Sequence, residues 1–521
     1  MIRSVTFLSN TVTQPFERFL SAYELSHAPL DTIIEQLYAD EIAQNDLIII
    51  LLDKHFYRGD YEQRFELLKN ALLHFRGKHA TPIILNTIID DIYAFHTPSA
   101  YVQEEALFNL NKRIVQLQND LLNVAVLDLY ALSRHHGIKN LFNDKNGYLF
   151  QSPYTRLALE LIAQNIEELI TLLSTPRIKA IAIDADNTLW GGIVGEDGVE
   201  GIAIDQNYPG IAYHRFQQDL LALRQSGIVL ILLSKNDEEA VLEVFEKRSM
   251  PLSLSDFVAT AVNWNAKSDN LKAILEELNL STSGIIFLDD SPSEIEQMRQ
   301  MMGIPSFAMN PQNPLENSAL LRSIVSLKSV RLTQEDLQKT ALYQEEKART
   351  ALEAKTTSKE EFIASLDIRM NVFLNHEAHL ERIAQLINKT NQFNLTTKRY
   401  DVGHVRSLMK EASVYDFAVQ DTFGDMGIVG VLIVKEGCID TFLMSCRVLG
   451  RGIEETVLAF VTRRHPNLRA SYIPSAKNRL VENFYEKNGF ILESTDANGV
   501  KTYRCETLRE SHFAIKVSYE S

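Results

Sequence analysis

Apolar positions along the chain fall into three regimes. Over about residues 1–175, short apolar runs alternate with segments of helical period. SVTFLS, DLIIILLD, TPIILNTI and NVAVLDL read as buried strands, and 64–75 and 103–118 read as helices. Strands that alternate with helices predict a parallel sheet. Ser174, Thr175 and Pro176 break the pattern. Over about 176–325 the alternation is cleaner. KAIAID, IVLILLS, FVAT and GIIFLDD are strands, with helices predicted near 209–226, 237–247, 267–278 and 291–302. These strands end in polar or acidic residues at the C-terminal edge, where open α/β sheets bind ligands. A charged stretch over 333–354 reads as an exposed linker helix with solvated charges. Beyond about 360 the class changes. Helices near 377–389 precede antiparallel-looking strands SVYDFAVQ, IVGVLIV and IDTFLMSC, with a KEG turn between the last two. A helix, the strand LRASYI and another helix follow.

This pattern predicts an α/β chain with an α/β domain at 1–175, a parallel-sheet domain at 176–325, a helical linker at 326–360 and an α+β domain at 361–521. The length agrees, because 521 residues exceed what one hydrophobic core supports. Hydrophobic residues make up 45% and charged residues 23%, which excludes a largely disordered chain. The net charge of −16 argues against general nucleic-acid binding, which rests on phosphate neutralisation. Three cysteines, Cys438, Cys446 and Cys505, are too few for a disulfide framework. The N-terminus lacks the apolar segment of a signal peptide, and the longest apolar run, 47–52, is of strand length. A cytoplasmic protein with no membrane span and no nucleic-acid partner is expected.

The densest chemistry is Asp184-Ala-Asp186-Asn187-Thr188, directly after KAIAI. Two carboxylates at i and i+2 on a strand-to-loop turn can face one pocket. One can attack phosphorus while the other trades protons with the leaving oxygen. Such a site needs a cation against the phosphate charge, and Mg²⁺ prefers carboxylate and phosphate oxygens. Ser234, after IVLILL, offers a hydroxyl to a phosphate oxygen. Lys267 opens a helix and offers a positive charge. Asp289 and Asp290, after GIIFL, supply a further metal carboxylate and a partner to orient it. Alone, DADNT also fits an acidic turn that caps the next helix.

The four-part order, Asp-x-Asp, Ser, Lys and Asp-Asp, resembles the haloacid dehalogenase (HAD) superfamily. The resemblance implies that Asp184 is the nucleophile. It also implies that Asp186 is the general acid/base and gives its carbonyl to Mg²⁺ together with Asp184 and Asp289. Leu189-Trp190-Gly191-Gly192-Ile193-Val194-Gly195-Glu196-Asp197-Gly198 reads as a glycine-rich flap, and Ser234-Lys235-Asn236-Asp237 and Leu288-Asp289-Asp290-Ser291-Pro292 extend the likeness to subfamily IIIC and its FkbH-like branch. Asn187, Thr188 and Asn236 would then line the substrate pocket. Trp190 fits core packing equally well.

A second signal is Ser445-Cys446-Arg447-Val448-Leu449-Gly450-Arg451-Gly452, between an apolar strand and an amphipathic helix. Arg447, Gly450 and Gly452 are spaced so that backbone amides cradle a pyrophosphate at a helix N-terminus, although a plain turn has the same spacing. With the later Asn478–Phe490 segment it resembles the GNAT acyltransferase fold, whose loop binds a phosphopantetheine arm. Cys446, at a strand end beside Arg447, is a candidate thiolate nucleophile or a buried strand cysteine. The polar string 388–400, with Asn391 and Gln392, reads as a substrate-facing wall or a helix-capping loop. It and SCRVLGRG look like FkbH-like hallmarks. The first 175 residues resemble that family's SGNH-like domain. Ser9-Asn10 stands where that fold places its serine, but no Asp-x-x-His follows, and His135 and His136 are wrongly spaced.

The resemblance implies a Mg²⁺-dependent phosphatase and acyltransferase. It would dephosphorylate 1,3-bisphosphoglycerate and load a D-glyceryl thioester on the phosphopantetheine arm of an acyl carrier protein. The product would supply methoxymalonyl or tetronate units for polyketide biosynthesis. The alternative is a plain HAD phosphatase acting on a small phosphorylated metabolite, with a regulatory or N-acyl-transferring C-terminal domain.

Overall fold

The computed structural model describes residues 2–57, 60–89, 98–278, 280–331, 334–353, 355–507 and 511–520. Both ends of the charged helix expected over 333–354 lie outside the described residues. The chain divides into two compact units, Met1–Thr340 and Ala341–Ser521.

The first unit holds two five-stranded sheets among the described residues. In the first, β1 (Ser4–Ser9), β2 (Glu24–His27), β3 (Leu47–Leu51), β4 (Ile83–Asn86) and β5 (Val124–Leu127) run parallel in the order β2-β1-β3-β4-β5. The second contains β6 (Ala180–Ile183), β7 (Val229–Ser234), β8 (Phe257–Val262), β9 (Ile285–Asp289) and β10 (Ser306–Ala308), parallel in the order β10-β9-β6-β7-β8. Strands such as LIIIL and AIAI are buried throughout, as expected where helices cover both faces of a parallel sheet. The central helices, Gly210–Gln225, Glu238–Lys247, Lys267–Glu277 and Pro292–Met302, agree with the periodicity to within a residue or so. In the second sheet the chain winds outward from β6 in both directions, through β7 and β8 and then through β9 and β10. The loop after β6 therefore opens at a topological switch point.

The second unit is a nine-stranded, mostly antiparallel sheet. Its strands are β11 (Arg369–Leu374), β12 (Phe393–Asn394), β13 (Ser413–Gln420), β14 (Asp425–Lys435), β15 (Cys438–Met444), β16 (Arg469–Tyr472), β17 (Phe490–Thr495), β18 (Lys501–Cys505) and β19 (Lys516–Glu520). The path is β17-β18-β16-β15-β14-β13-β11-β19, with β12 paired on β15. The turn between β14 and β15 places Glu436 and Gly437 at positive φ, as the KEG signal required.

The helix Gln334–Glu353 corrects the expectation of an exposed linker. Arg349 is buried and forms a two-pronged pair with buried Asp421, at 2.7 and 2.9 Å. Arg451 also reaches Glu346. A buried guanidinium is tolerated because the planar fork matches the carboxylate. These charges hold residues 341–353 of the helix, which belong to the second unit, against that unit's own sheet and loops. No described helix is long and apolar enough to cross a membrane.

Candidate functional site

β6 ends at Ile183, and the backbone amide of Asp184 donates to Leu288 O, so Asp184 sits at the sheet edge beside the end of β9. The chain then makes a tight turn. Thr188 and Leu189 amides both donate to Ala185 O. Asn187 adopts φ 54°, its amide donates to Gly192 O, and its side-chain oxygen accepts from the Gly192 amide. Gly192 needs its φ of +98°, and a Cβ there would stand 2.5 Å from Asp197 Oδ2. The expected flap is thus a folded turn that runs into the short helix Val194–Gly201.

Four side chains converge at this edge. Lys267, the first residue of its helix, places Nζ 2.7 Å from Asp184 Oδ1 and 2.6 Å from Asp289 Oδ2. Asp289 Oδ1 accepts from the Ser291 amide at 2.8 Å. Asp290 takes a hydrogen bond from Asn187. Carboxylate oxygens of Asp184, Asp289 and Asp290 lie within 4.8 Å of one another. Burial pushes the Asp184 carboxyl up to about 7, against the pull of Lys267. Burial also raises Asp289 and Asp290. For Lys267 burial works downward, but the two carboxylates outweigh it and the ammonium is held above its ordinary range.

With all three carboxylates ionised, as a bound cation would favour, three carboxylates and one ammonium leave this edge about two negative charges in excess. An all-oxygen donor set with that deficit suits a hard divalent cation. Asp184, Asp289 and Asp290 are therefore the side chains that fit Mg²⁺. Asp186, expected to give its backbone carbonyl to the metal and its carboxyl to proton transfer, has that carboxyl fixed by three donors. Its Oδ1 accepts from Trp190 Nε1 at 2.8 Å and the Val194 amide at 3.1 Å, and its Oδ2 accepts from Asn236 Nδ2 at 2.7 Å. Trp190 is both core and site: it is 0% exposed and meets Phe245 edge-on at 5.9 Å. Thr188 and Ser234 are buried at the same edge. Thr188 Oγ1 has no hydrogen-bond partner among the described residues. Lys235 Nζ, beyond β7, pairs with Glu294 at 2.6 Å, beyond β9, and so links the loops that flank the β6 turn.

The second unit holds the remaining candidates, and several expectations need correction. Cys446 is exposed and opens a short 3-10 turn, Cys446–Val448, two residues beyond β15. Residues 447–452 separate it from the helix Ile453–Arg464, so it does not sit at that helix N-terminus. Arg447 Nε donates to Ser445 Oγ at 3.3 Å. The expected open cradle is closed. The Gly450 amide donates to Glu454 Oε1 at 2.7 Å, and Gly452, at φ 76°, lies against Phe513, whose ring a Cβ would approach to 1.9 Å. The cause is a carboxylate in the first turn of the helix, Glu454, which reaches back to the amide that an external anion would need. Burial, then Glu455, pushes Glu454 up to about 7.

The polar string near 388–400 is also more than a surface wall. Phe393, Asn394, Leu395 and Thr396 are buried. β15 and β16 pair only at Cys438↔Arg469 and Ile439↔Ala470, then diverge. The segment fills the gap, with the Leu395 amide donating to Phe442 O and the Ile473 amide to Leu395 O. Asn478, fully buried, donates to Asn394 O and Ile473 O and accepts from Ser475 N and Tyr472 OH. Asn391 is partly buried and bound within its own loop by Arg399, and Gln392 is exposed.

In the first unit, Ser9 donates to Leu51 O and contacts Thr11, not an imidazole.

No family model and no curated protein sequence matches the chain. Among solved structures, it is similar to the N-terminal part of a Bacteroides fragilis protein containing a phosphatase domain, complexed with Mg. Identity is 23% and TM-score 0.51, over 63% of this chain and 95% of that one. Weaker similarities are to a HAD family enzyme of Bacteroides thetaiotaomicron with magnesium and inorganic phosphate (16% identity, TM-score 0.20, 26% of this chain and 95% of that one) and to apo YjaB of Escherichia coli (15%, 0.19, 26% and 97%). The Bacteroides fragilis structure shares its fold with the 63% of this chain that it covers.

Proposed function

We propose that the Met1–Thr340 unit is a Mg²⁺-dependent phosphohydrolase of the HAD type, with an aspartate nucleophile. The observation that carries this reading is the sheet edge where Asp184, Asp289 and Asp290 gather around Lys267, with more carboxylate charge than one ammonium balances. With Asp184 Oδ1 held by Lys267, the other carboxylate oxygen attacks phosphorus and the bond to the leaving oxygen breaks. Asp186, fixed by Trp190, Asn236 and Val194, gives that oxygen its proton and then takes one from the water that hydrolyses the aspartyl-phosphate. Asp184, Asp289 and Asp290 would hold Mg²⁺, which supplies charge neutralisation for the phosphoryl group. Lys267 adds to that field and keeps the nucleophile in place. Asp184→Asn should lower phosphate release by more than about a thousandfold and abolish the phosphate adduct on the intact protein. Activity within tenfold of wild type would dismiss Asp184 as the nucleophile.

For the whole chain, we infer a glyceryl transferase that draws on 1,3-bisphosphoglycerate and loads an acyl carrier protein through Cys446. The exposure of Cys446 beside the Arg447–Gly452 loop supports this reading. Cys446→Ala should stop carrier loading, read by mass spectrometry of the carrier, while phosphate release from a simple ester continues. Near-normal loading by the variant would make acyl transfer independent of this thiol. A second reading keeps the phosphohydrolase but gives the second unit a regulatory or N-acylating role. The Glu454 carboxylate on the Gly450 amide favours it, because it competes with a pantetheine phosphate for the loop. Turnover without any carrier, or labelling from acetyl-CoA, would select it.

A further inference from the structure

Three exposed apolar side chains lie on connections at the C-terminal edge of the second sheet, the edge that carries the carboxylates. Trp264 lies three residues before Lys267 on the loop after β8, and its side is 69% exposed. On the loops that leave the β6 turn, Ile193 is 38% and Tyr208 60% exposed. A tryptophan joins a large apolar face to one polar handle, which suits it to contact surfaces when the handle is held and the face is open. Trp264 is held: its Nε1 donates to Asp237 Oδ1 at 3.1 Å. Asp237 follows Asn236, whose amide is 2.7 Å from Asp186 Oδ2. The neighbouring Asn263 amide donates to Ser234 O, at the end of β7. The indole is therefore fastened to the loop that carries the Asp186 contact, with its apolar surface left open.

The charges at the same edge point to what it meets. Lys267 is taken by Asp184 and Asp289, and Lys235 by Glu294. Asp186, Asp237 and Asp290, none of them paired with a lysine or arginine among the described ion pairs, add negative potential at this edge. A leaving group with its own negative charge would be repelled there, whereas one with a CH-rich or aromatic face would cover the indole. We propose that Trp264 determines specificity by packing against the uncharged, apolar part of a phosphate monoester whose phosphorus sits at Asp184. This rests on the phosphohydrolase reading and deepens it. A free alkyl or aryl ester and a phosphorylated acyl group tethered to pantetheine share the chemistry.

The test compares the full chain with Trp264→Ala and Trp264→Phe, in Mg²⁺, on two pairs of probes. One pair is phenyl phosphate against methyl phosphate, and the other is the 3-phosphoglyceryl thioester of pantetheine against 3-phosphoglycerate. The ratio of kcat/KM, larger over smaller probe, should fall about tenfold in the alanine variant and less in the phenylalanine variant. A fall confined to the first pair assigns a free ester, and a fall in the second a tethered substrate. The chain has two tryptophans, and Trp190 is buried. Phenyl phosphate added to Asp184→Asn should therefore quench the exposed indole, and methyl phosphate should not. Ratios unchanged in both pairs, with wild type releasing phosphate, would overturn the role of Trp264 and leave the phosphohydrolase intact. No phosphate release by wild type from any probe would remove both.

Discussion

Replacing Trp190 by Phe separates two jobs that one ring performs. The indole fills a fully buried space against Phe245, and its Nε1 donates to Asp186 Oδ1 at 2.8 Å. Phe keeps much of the packing and deletes the donor. A hydrogen bond to a charged group contributes about 1.5–3 kcal/mol, and each 1.4 kcal/mol is about tenfold in rate. Two donors remain on Asp186, Asn236 Nδ2 and the Val194 amide, so the side chain stays roughly in place but swings more freely. If Asp186 moves the proton in the rate-limiting step, kcat for phosphate release should drop about tenfold or more. KM should change little, because Trp190 is buried away from the substrate. The smaller ring also costs roughly 1–3 kcal/mol of stability, seen in urea or thermal unfolding.

The control is Phe245→Leu, which disturbs the other side of the same aromatic contact but touches no hydrogen bond of Asp186. It should lose comparable stability and keep kcat within about twofold. Equal kcat losses in the two variants would mean that Trp190 acts through packing alone. An unchanged kcat in Trp190→Phe, with the stability loss present, would mean that orientation of Asp186 does not limit turnover.

Two further outcomes test the second unit. Glu454 has an ordinary pKa of 4.5 that burial raises to about 7, so its contribution to stability is complete below about 4.5 and lost as pH rises through 7. Glu454→Gln should flatten that part of the stability–pH curve, by up to about 3 kcal/mol between those limits, and an unaltered curve would deny the shift. Asn478→Ala should cost about 3 kcal/mol or more in unfolding of the second unit, because it strands the buried carbonyl of Asn394 and half-buried groups of Ile473 and Ser475, whereas a loss below 1 kcal/mol would mean that the β12 segment is held mainly by its apolar side chains.

How much of this was legible in the sequence depended on the range of the interaction involved. LIIIL, AIAI and IIFLD are continuous apolar runs, and a run of that kind specifies a buried parallel strand almost by itself. The carboxylates and Lys267 were legible because a parallel sheet brings every strand end to one edge, so order along the chain becomes proximity in space. Short edge strands were not legible. β2 (ELSH) and β10 (SFA) have weak patterns, and β12 has two residues whose pairing is decided by where β15 and β16 part. The linker reading failed at Arg349 because a composition rule treats a charged helix as solvated, and only the fold brings up Asp421, seventy-two residues away. The Gly450 loop failed for the opposite reason. Its closing carboxylate, Glu454, lies four residues on and was visible, but a spacing rule built on glycines alone counts the amides that could bind an anion and not the side chains already able to occupy them. That difference bears on function. The edge at Asp184 has an excess of carboxylates that suits an external cation, whereas the loop at Gly450 has already answered its own helix N-terminus, so any anion proposed to bind there would first have to displace Glu454.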